Sequence, residues 1–192
     1  MRTTGVKEKI DRAAIDLFAA HGVDGVSIAD IAAAASVAQG ALYRHYRSKE
    51  ELASRLFTEA YQRTGAELAA IAAAAPGFAA RIGAMIAHFC ALYDRDAALF
   101  RFMLLAQHDL LPGVEGSVSG PGAVIEATVN EAVAAGETPS VDAAAACAAI
   151  MGIVLQTALF HIYGRVPGPL APRARALARA AIAAVAALGS NA

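Results

Sequence analysis

Apolar residues recur at intervals of three and four almost throughout this 192-residue chain, and that spacing places them on one face of an α-helix. No segment shows the alternation of apolar and polar residues that is typical of strands. The sequence therefore predicts an all-α fold. Glycine and proline mark the breaks between about nine helices, which we expect over 6–21, a short stretch after Ser27, 38–46, 48–74, 78–94, 96–108, 121–135, 140–163 and 172–188.

The composition is unusually apolar, with 57% hydrophobic residues and a mean hydropathy of +0.48. The longest apolar run, 141–163, is rich in alanine, is interrupted by Gln156 and His161, and has no aromatic and basic belt at both ends. These features favour a helix buried against other protein over a bilayer span. The N-terminus alternates charged and apolar residues, unlike a secretory signal. We therefore expect a cytoplasmic protein without a membrane segment.

The net charge of −1 provides no overall attraction to nucleic acid, so such binding would need a local surface. Cys90 and Cys147 stand alone, and His88, His108 and His161 fall on different predicted helices without ligand spacing. Two buried thiols, with no metal and no cofactor, are the expectation.

The segment VAQGALYRHYRSKEEL, residues 37–52, gathers aromatic and cationic side chains that are scarce elsewhere. Upstream, Ser27 followed by Asp30 predicts a capped helix start, and Ser48 followed by Glu51 predicts a full capping box. Two short helices joined by a tight turn and followed by a long helix are a helix-turn-helix candidate. Period and length alone also fit an ordinary helical bundle, so the side chains must decide.

At 100° per residue, Leu42 and Tyr46 fall on the same side of the predicted third helix and can dock on the helices before it. Tyr43 and His45 lie at the two margins. The opposite side carries two small residues and one cation, Gly40, Ala41 and Arg44. This layout suits a helix in a DNA major groove, because small residues allow close approach and an arginine can bond to guanine or phosphate.

Residues 10–52 closely resemble the DNA-binding domain of the TetR/AcrR family of bacterial transcriptional regulators. The resemblance runs through LF…HG, S-x-x-D-I-A, G-A-L-Y-R-H-Y and S-K-E-E-L, and covers roughly a quarter of the chain. It implies that four residues approach bases, namely Gln39, Gly40, Ala41 and Arg44. It also implies that four grip phosphates, namely Ser27, Tyr43, His45 and Lys49.

Two positions depart from the family pattern. Ser36 stands where the family usually has a turn glycine, and Ala38 stands where it often has a capping serine. A lost cap typically costs ~1 kcal/mol. The recognition helix is therefore expected to be less firmly formed before it meets DNA.

The predicted domains are a helix-turn-helix domain over 1–55 and an effector-binding and dimerisation domain over 56–192, bridged by the helix 48–74. The resemblance implies a homodimer formed by the last two long helices, and the nearly apolar 140–163 segment independently favours a helix buried on several sides. The expected interface residues are Ala145, Ala149, Gly152, Leu155, Leu159, Phe160, Tyr163, Leu177, Ile182 and Val185.

The resemblance also implies a small-molecule pocket in the C-terminal domain. Core packing is the favoured explanation for any single residue at helical spacing. The candidate lining consists of residues that mix apolar bulk with polar tips, namely Met85, His88, Phe89, Tyr93, Phe100, Met103, Gln107, His108, Met151 and Gln156.

The leading hypothesis is a homodimeric repressor that binds a palindromic operator and is released by a small apolar or amphipathic effector. An activator or a corepressor-dependent regulator fits the same residues, because they do not reveal whether effector binding strengthens or weakens DNA binding. An enzyme is the remote alternative, since no G-x-S-x-G, HExxH or phosphate-cradling glycine loop occurs.

Overall fold

The computed structural model describes residues 5–114 and 120–189. Within these ranges the chain forms nine α-helices, two short 3-10 helices and no strand, which confirms the all-α prediction. The α-helices are α1 (Val6–His21), α2 (Ile28–Ala34), α3 (Gln39–Tyr43), α4 (Lys49–Ala74), α5 (Gly77–Arg95), α6 (Ala97–Leu110), α7 (Pro121–Ala134), α8 (Ala143–Ile162) and α9 (Ala174–Gly189).

Most helix ends fall within a few residues of the prediction, but α3 and α8 are shorter. The predicted 38–46 helix ends at Tyr43, and the chain continues as a turn in which the Tyr46 N–H still donates to the Leu42 carbonyl at 3.0 Å. The predicted start of α8 at 140 was wrong because Asp142 caps the helix, accepting the Ala144 N–H at 2.9 Å.

The helices form two compact units. The first contains α1, α2, α3, residues 49–61 of α4, and α6. Its centre is aromatic: the rings of Phe18 and Phe102 lie 5.7 Å apart, and the rings of Phe57 and Phe102 lie 6.5 Å apart. These contacts bring α6 into the unit, although the sequence prediction had placed it with the C-terminal domain.

The second unit contains residues 62–74 of α4 together with α5, α7, α8 and α9. Helix α9 packs on both α5 and α8, and α7 packs on α5 and α8. Asp94 at the end of α5 accepts the backbone N–H groups of Leu170 and Ala171, each at 2.8 Å, and so fixes the loop that leads into α9. The predicted boundary between residues 55 and 56 stays a prediction; the two units divide α4 after Tyr61.

Both thiols are buried, as expected, and burial raises the pKa of Cys90 and of Cys147 to about 11. Helix α8 is the one helix of the described ranges that is long and apolar enough to cross a membrane, with a mean hydropathy of 2.0. A core or interface helix of a soluble protein has the same character. Only 28% of the residues in its most apolar stretch are fully buried within the chain, so most of α8 stays at least partly exposed.

Candidate nucleic-acid interface

The start of α2 is fixed by a reciprocal cap. The Asp30 N–H donates to Ser27 Oγ at 3.2 Å, while the Ser27 N–H and hydroxyl both donate to Asp30 Oδ2 at 2.9 and 2.6 Å. These two bonds from Ser27 hold the pKa of the Asp30 carboxyl below its usual range. The predicted cap is confirmed, with aspartate in place of the usual glutamate. A phosphate bond from the Ser27 hydroxyl would require it to leave Asp30.

The turn between α2 and α3 is strained. Ser36 has φ of 55°, and within the described ranges it is the one non-glycine residue in the left-handed region. For a residue with a Cβ this conformation costs about 1–2 kcal/mol relative to the right-handed one. The Ser36 N–H donates to the Ala33 carbonyl at 3.0 Å and the Val37 N–H donates to the Ala32 carbonyl at 3.0 Å, which holds the turn closed.

The start of α3 lacks a side-chain cap, as the sequence predicted. Ala38 occupies the N-cap position with extended φ and ψ of −70° and 145°, and its methyl group accepts no hydrogen bond. The Ala41 N–H donates to the Ala38 carbonyl at 2.8 Å, but no side chain caps the first turn of this five-residue helix.

Replacing Ala38 by serine is expected to stabilise the protein by about 1 kcal/mol, because the hydroxyl would cap α3 without changing the backbone. Chemical denaturation monitored by circular dichroism measures the change. Ala33→Ser, on the exposed side of α2, is the matched control and should lower stability by roughly 0.5 kcal/mol through helix propensity. Equal effects of the two substitutions would contradict a missing cap.

The side chains of α3 divide as the angular analysis predicted. Leu42 is 0% exposed and Tyr46 is 1% exposed, whereas Tyr43 is 55% exposed. Ala41 is half-buried. The remaining predicted contact residues of this segment are exposed, namely Gln39, Gly40, Arg44 and His45. Their burial is consistent with one docked side and one free side, while their contacts with DNA stay predictions.

Three predicted phosphate contacts from different elements line one open surface groove of about 600 Å³: Ser27, Tyr43 and Lys49. Arg47, which the sequence analysis did not single out, lines the same groove. The only sequence signal for Arg47 was its place directly before the capping serine. The groove also contains three carboxylates, Asp24, Asp30 and Glu50. It therefore offers individual donors and not a uniformly positive surface.

Two hydrogen bonds of Glu51 fix the first turn of α4 to the residues before it, Arg47 and Ser48. The Glu51 N–H donates to Ser48 Oγ at 3.1 Å, and Glu51 Oε2 accepts the Arg47 N–H at 2.7 Å. Ser48 therefore caps α4 as predicted, but the predicted full capping box is only half formed, because Glu51 bonds back to the Arg47 N–H and not to the Ser48 N–H. The Lys49 ammonium lies 4.0 Å from Glu50 Oε1 and its side chain is 17% exposed. Lys49 is thus partly held against the protein beside the groove.

A polar cluster that the sequence analysis missed lies behind α3. The buried Tyr46 hydroxyl donates to Asp11 Oδ1 at 2.5 Å, and the Lys7 ammonium donates to Asp11 Oδ2 at 2.7 Å. Arg55 lies over the Tyr46 ring, 5.9 Å from its centre. Burial, followed by the bond to Asp11, raises the pKa of Tyr46 to about 12. The bond to Asp11 likewise raises the pKa of Lys7.

These shifts predict a loss of stability at alkaline pH. A phenol whose pKa rises from 10.0 to about 12 on folding binds its proton more tightly in the folded state. Its contribution is complete below pH 10 and is lost as the pH rises through 12. The difference in free energy of unfolding between the wild type and Tyr46→Phe should therefore shrink between pH 10 and 12. A constant difference over this range would contradict the assignment.

The predicted effector-pocket residues are distributed over both compact units. Met85, Phe89, Tyr93 and Phe100 are buried. Met103, His88, Gln107 and Met151 are half-buried, and His108 and Gln156 are exposed. Tyr93 Oη and His161 Nδ1 lie 2.8 Å apart, and His88 Nε2 lies 2.9 Å from Glu67 Oε2. A cavity of about 410 Å³ inside the first unit has Phe18, Phe102 and Leu105 in its lining and none of the predicted residues. The pocket stays a prediction.

Most of the predicted dimer residues are available on the surface of the chain. Gly152 and Tyr163 are exposed and Phe160 is 37% exposed. Six more are half-buried, namely Ala145, Ala149, Leu155, Leu159, Leu177 and Ile182. Val185 is 0% exposed within its own chain, so it can only support such a surface from beneath. Within the described residues, no group of three histidine, cysteine or acidic side chains lies close enough to hold a metal ion.

Residues 10–56 match the family model of bacterial regulatory proteins, tetR family. A curated relative from Mycobacterium tuberculosis, MftR, whose name describes it as a candidate mycofactocin biosynthesis transcriptional regulator, is 45% identical over 51 residues. That match spans 27% of this chain and 26% of the relative, so it concerns the DNA-binding domain alone.

Solved structures resemble the whole fold. The fatty acid degradation regulator FadR from Bacillus halodurans aligns with a TM-score of 0.83 and 18% identity over 95% of this chain and 97% of its own. FadR from Bacillus subtilis, solved in complex with stearoyl-CoA, aligns with a TM-score of 0.80 and 17% identity over 93% of this chain and 99% of its own. The TetR family transcriptional regulator PfmR from Thermus thermophilus aligns with a TM-score of 0.76 and 21% identity over 94% of this chain and 97% of its own. At these identities the likeness is one of fold.

Proposed function

We propose that this chain, a member of the TetR family of bacterial transcriptional regulators, is a homodimeric repressor that a small molecule releases from its operator. The observation that carries the proposal is the division of α3 and the turn that follows it: Leu42 and Tyr46 are buried, while Tyr43 and its cationic neighbours are exposed. This division occurs inside the segment that matches the family's DNA-binding model. Relatives and fold neighbours are regulators and not enzymes, and their function implies a cytoplasmic protein.

In the proposed complex, α3 enters the major groove with its smallest residues toward the bases. Gly40 has open space around its Cα, and Ala41 beside it adds only a methyl group, so the backbone can approach base edges closely. Arg44 is exposed and can donate two parallel bonds to guanine O6 and N7. Gln39 adds an amide at the same end of the helix. Specificity is thus assigned to these four residues.

The phosphate contacts in the proposed complex come from the groove between α2, α3 and the start of α4. Tyr43 and Lys49, which line the groove, and the exposed His45 donate to phosphate oxygens. Arg47 is a further cation, and the Ser27 hydroxyl is a contact that competes with its own cap. The N–H groups of the first turn of α4 favour an anion there. Because Asp24, Asp30 and Glu50 line the same groove, affinity depends on placed donors more than on net charge.

The exposed apolar surface of α8 supports the proposed dimer. Helix α8 is nearly apolar all round, and only 28% of the residues in its most apolar stretch are fully buried, which leaves an apolar face in contact with water. Gly152 and the alanines permit close helix approach, while Phe160 and Tyr163 supply area. A two-fold dimer then presents two α3 helices to half-sites about one DNA turn apart, ~34 Å or somewhat more.

The proposed effector is a small apolar or amphipathic molecule. That FadR from Bacillus subtilis was solved with stearoyl-CoA supports testing long-chain acyl thioesters first. Helix α4 runs without a break from the phosphate-binding groove into the second unit, which makes it the element through which effector binding would reach α3. Release requires that the effector bind the DNA-free state more tightly than the DNA-bound state.

The test is fluorescence anisotropy titration of the protein on DNA upstream of its own gene and of adjacent genes. We expect a palindromic site bound at nanomolar to tens-of-nanomolar concentration, at least ~1,000-fold more tightly than random DNA, with affinity that falls steeply with salt. Addition of the effector should weaken binding; stronger binding would identify a corepressor instead. Equal affinity for all of these DNAs would refute the proposed function.

A further inference from the structure

We infer that Asp11 and Tyr46 are positioning residues: their hydrogen bond ties the end of the recognition helix α3 to α1 and sets the angle at which α3 meets DNA. The inference rests on the proposed function, because it assigns a role in operator recognition to two residues that do not face DNA. The hydroxyl of Tyr46 is the essential group, because its hydrogen bond to Asp11 makes the contact between Tyr46 and α1 directional.

Tyr46 is well placed to transmit the position of α1 to α3. It lies three residues after the last residue of α3, and its N–H donates to the Leu42 carbonyl at 3.0 Å. Its side chain is 1% exposed and its hydroxyl reaches Asp11 Oδ1 at 2.5 Å. The main chain of Tyr46 therefore bonds to α3, and its side chain bonds to α1.

Asp11 is itself held in place. Its second oxygen, Oδ2, accepts from the Lys7 ammonium at 2.7 Å, one turn earlier on α1. Because both carboxylate oxygens have a donor, the carboxylate cannot rotate freely away from Tyr46. Asp11 therefore offers a fixed acceptor rather than a mobile surface charge.

The Tyr46 ring also contacts α4. The Arg55 guanidinium lies over the ring, 5.9 Å from its centre, and its Nε lies 3.3 Å from Glu51 Oε1. The other oxygen of Glu51 accepts the Arg47 N–H at 2.7 Å. The cluster thus fixes the segment between α3 and α4, which contains Arg47 and is flanked by Tyr43 and Lys49.

The need for such a tie follows from the weakness of α3. A helix of five residues with no side-chain cap is too short to be stable by itself. Leu42 holds it down by apolar contact, but apolar contact is non-directional and allows rotation. A hydrogen bond to a partly buried, ion-paired carboxylate is directional and charge-assisted. It is the contact that can fix the rotation of α3.

The experiment compares Tyr46→Phe, which removes only the hydroxyl, with Ile10→Val, which trims a fully buried side chain of α1 and destabilises the same unit without touching the tie. Amide hydrogen exchange of the DNA-free protein is the first readout. Tyr46→Phe should speed exchange of the His45 and Tyr46 amides, which donate to Leu42, by ~10-fold. Ile10→Val should leave them within ~2-fold of the wild type once global stability is matched by temperature.

Operator binding is the second readout. Tyr46→Phe should weaken operator binding ~10-fold while affinity for random DNA and the salt dependence stay unchanged, because no phosphate contact is removed. Asp11→Ala should have the same effect, and the double variant should be no weaker than either single variant. Asp11→Asn keeps an acceptor for Tyr46 but loses the charge, so it should show a smaller increase in amide exchange. If Tyr46→Phe does not fold, Asp11→Asn takes its place in both measurements.

Unchanged exchange at His45 and Tyr46 in the variants would overturn the inference, as would additive losses in the double variant. The two failures are distinguishable. If the wild type showed no sequence preference, the proposed function would fail, while the exchange experiment would still decide whether the Asp11–Tyr46 bond orders α3. If the wild type bound its operator and Tyr46→Phe bound it equally well, only the positioning role would fail.

Discussion

Replacing Tyr43 by alanine is expected to weaken operator binding at least ~100-fold, because a dimer loses two hydrogen bonds to phosphate, each worth about 1.5–3 kcal/mol. The fold should be nearly unaffected, with a change in free energy of unfolding within about 0.5 kcal/mol, since the side chain is 55% exposed. Anisotropy titration measures the first effect, and thermal unfolding with sedimentation velocity measures the second.

Tyr43→Phe is the matched control, because it keeps the ring and removes only the donor. If the hydroxyl binds phosphate, this substitution should reproduce most of the loss for operator and random DNA alike. Arg44→Ala should differ in kind: it should relax the preference for one base pair of each half-site. Unfolding of Tyr43→Ala would show instead that Tyr43 belongs to the core of the first unit.

Replacing Phe160 by glutamate is expected to convert the proposed dimer into a monomer at micromolar concentration. Two-fold symmetry places the new carboxylate in the interface twice, and burying an unpaired carboxylate there costs several kcal/mol. In the monomer the substitution should be tolerated, because Phe160 is 37% exposed and its side chain meets water. Sedimentation velocity measures the oligomeric state.

Loss of the dimer should also abolish tight operator binding, because a monomer reads one half-site and loses the gain from linking two. Ala66→Glu adds the same charge to an exposed position of α4 and should leave both dimerisation and binding intact. A dimer that survives Phe160→Glu would show that the apolar face of α8 is covered by something other than a second copy of the chain.

The sequence predicted most where local chemistry decides the structure. The capping serines, Ser27 and Ser48, start their helices as expected, and helical periodicity correctly assigned Leu42 and Tyr46 to the core. It failed where side chains distant in sequence decide. Nothing in residues 96–108 reveals that Phe102 will meet Phe18, so the predicted division assigned α6 to the C-terminal domain, whereas its contacts group it with α1. No local pattern reveals the bond between Tyr46 and Asp11, because the two residues lie 35 positions apart.

The strained and uncapped start of α3 has a consequence for the temperature dependence of regulation. If part of this helix becomes ordered only on the operator, each ordered residue costs about 1–2 kcal/mol of conformational entropy at the moment of binding. Coupled ordering and burial then give the association a large negative heat-capacity change. Operator occupancy should therefore decline with warming faster than for a regulator whose third helix is fully formed, making Ser36 and Ala38 determinants of a thermal response.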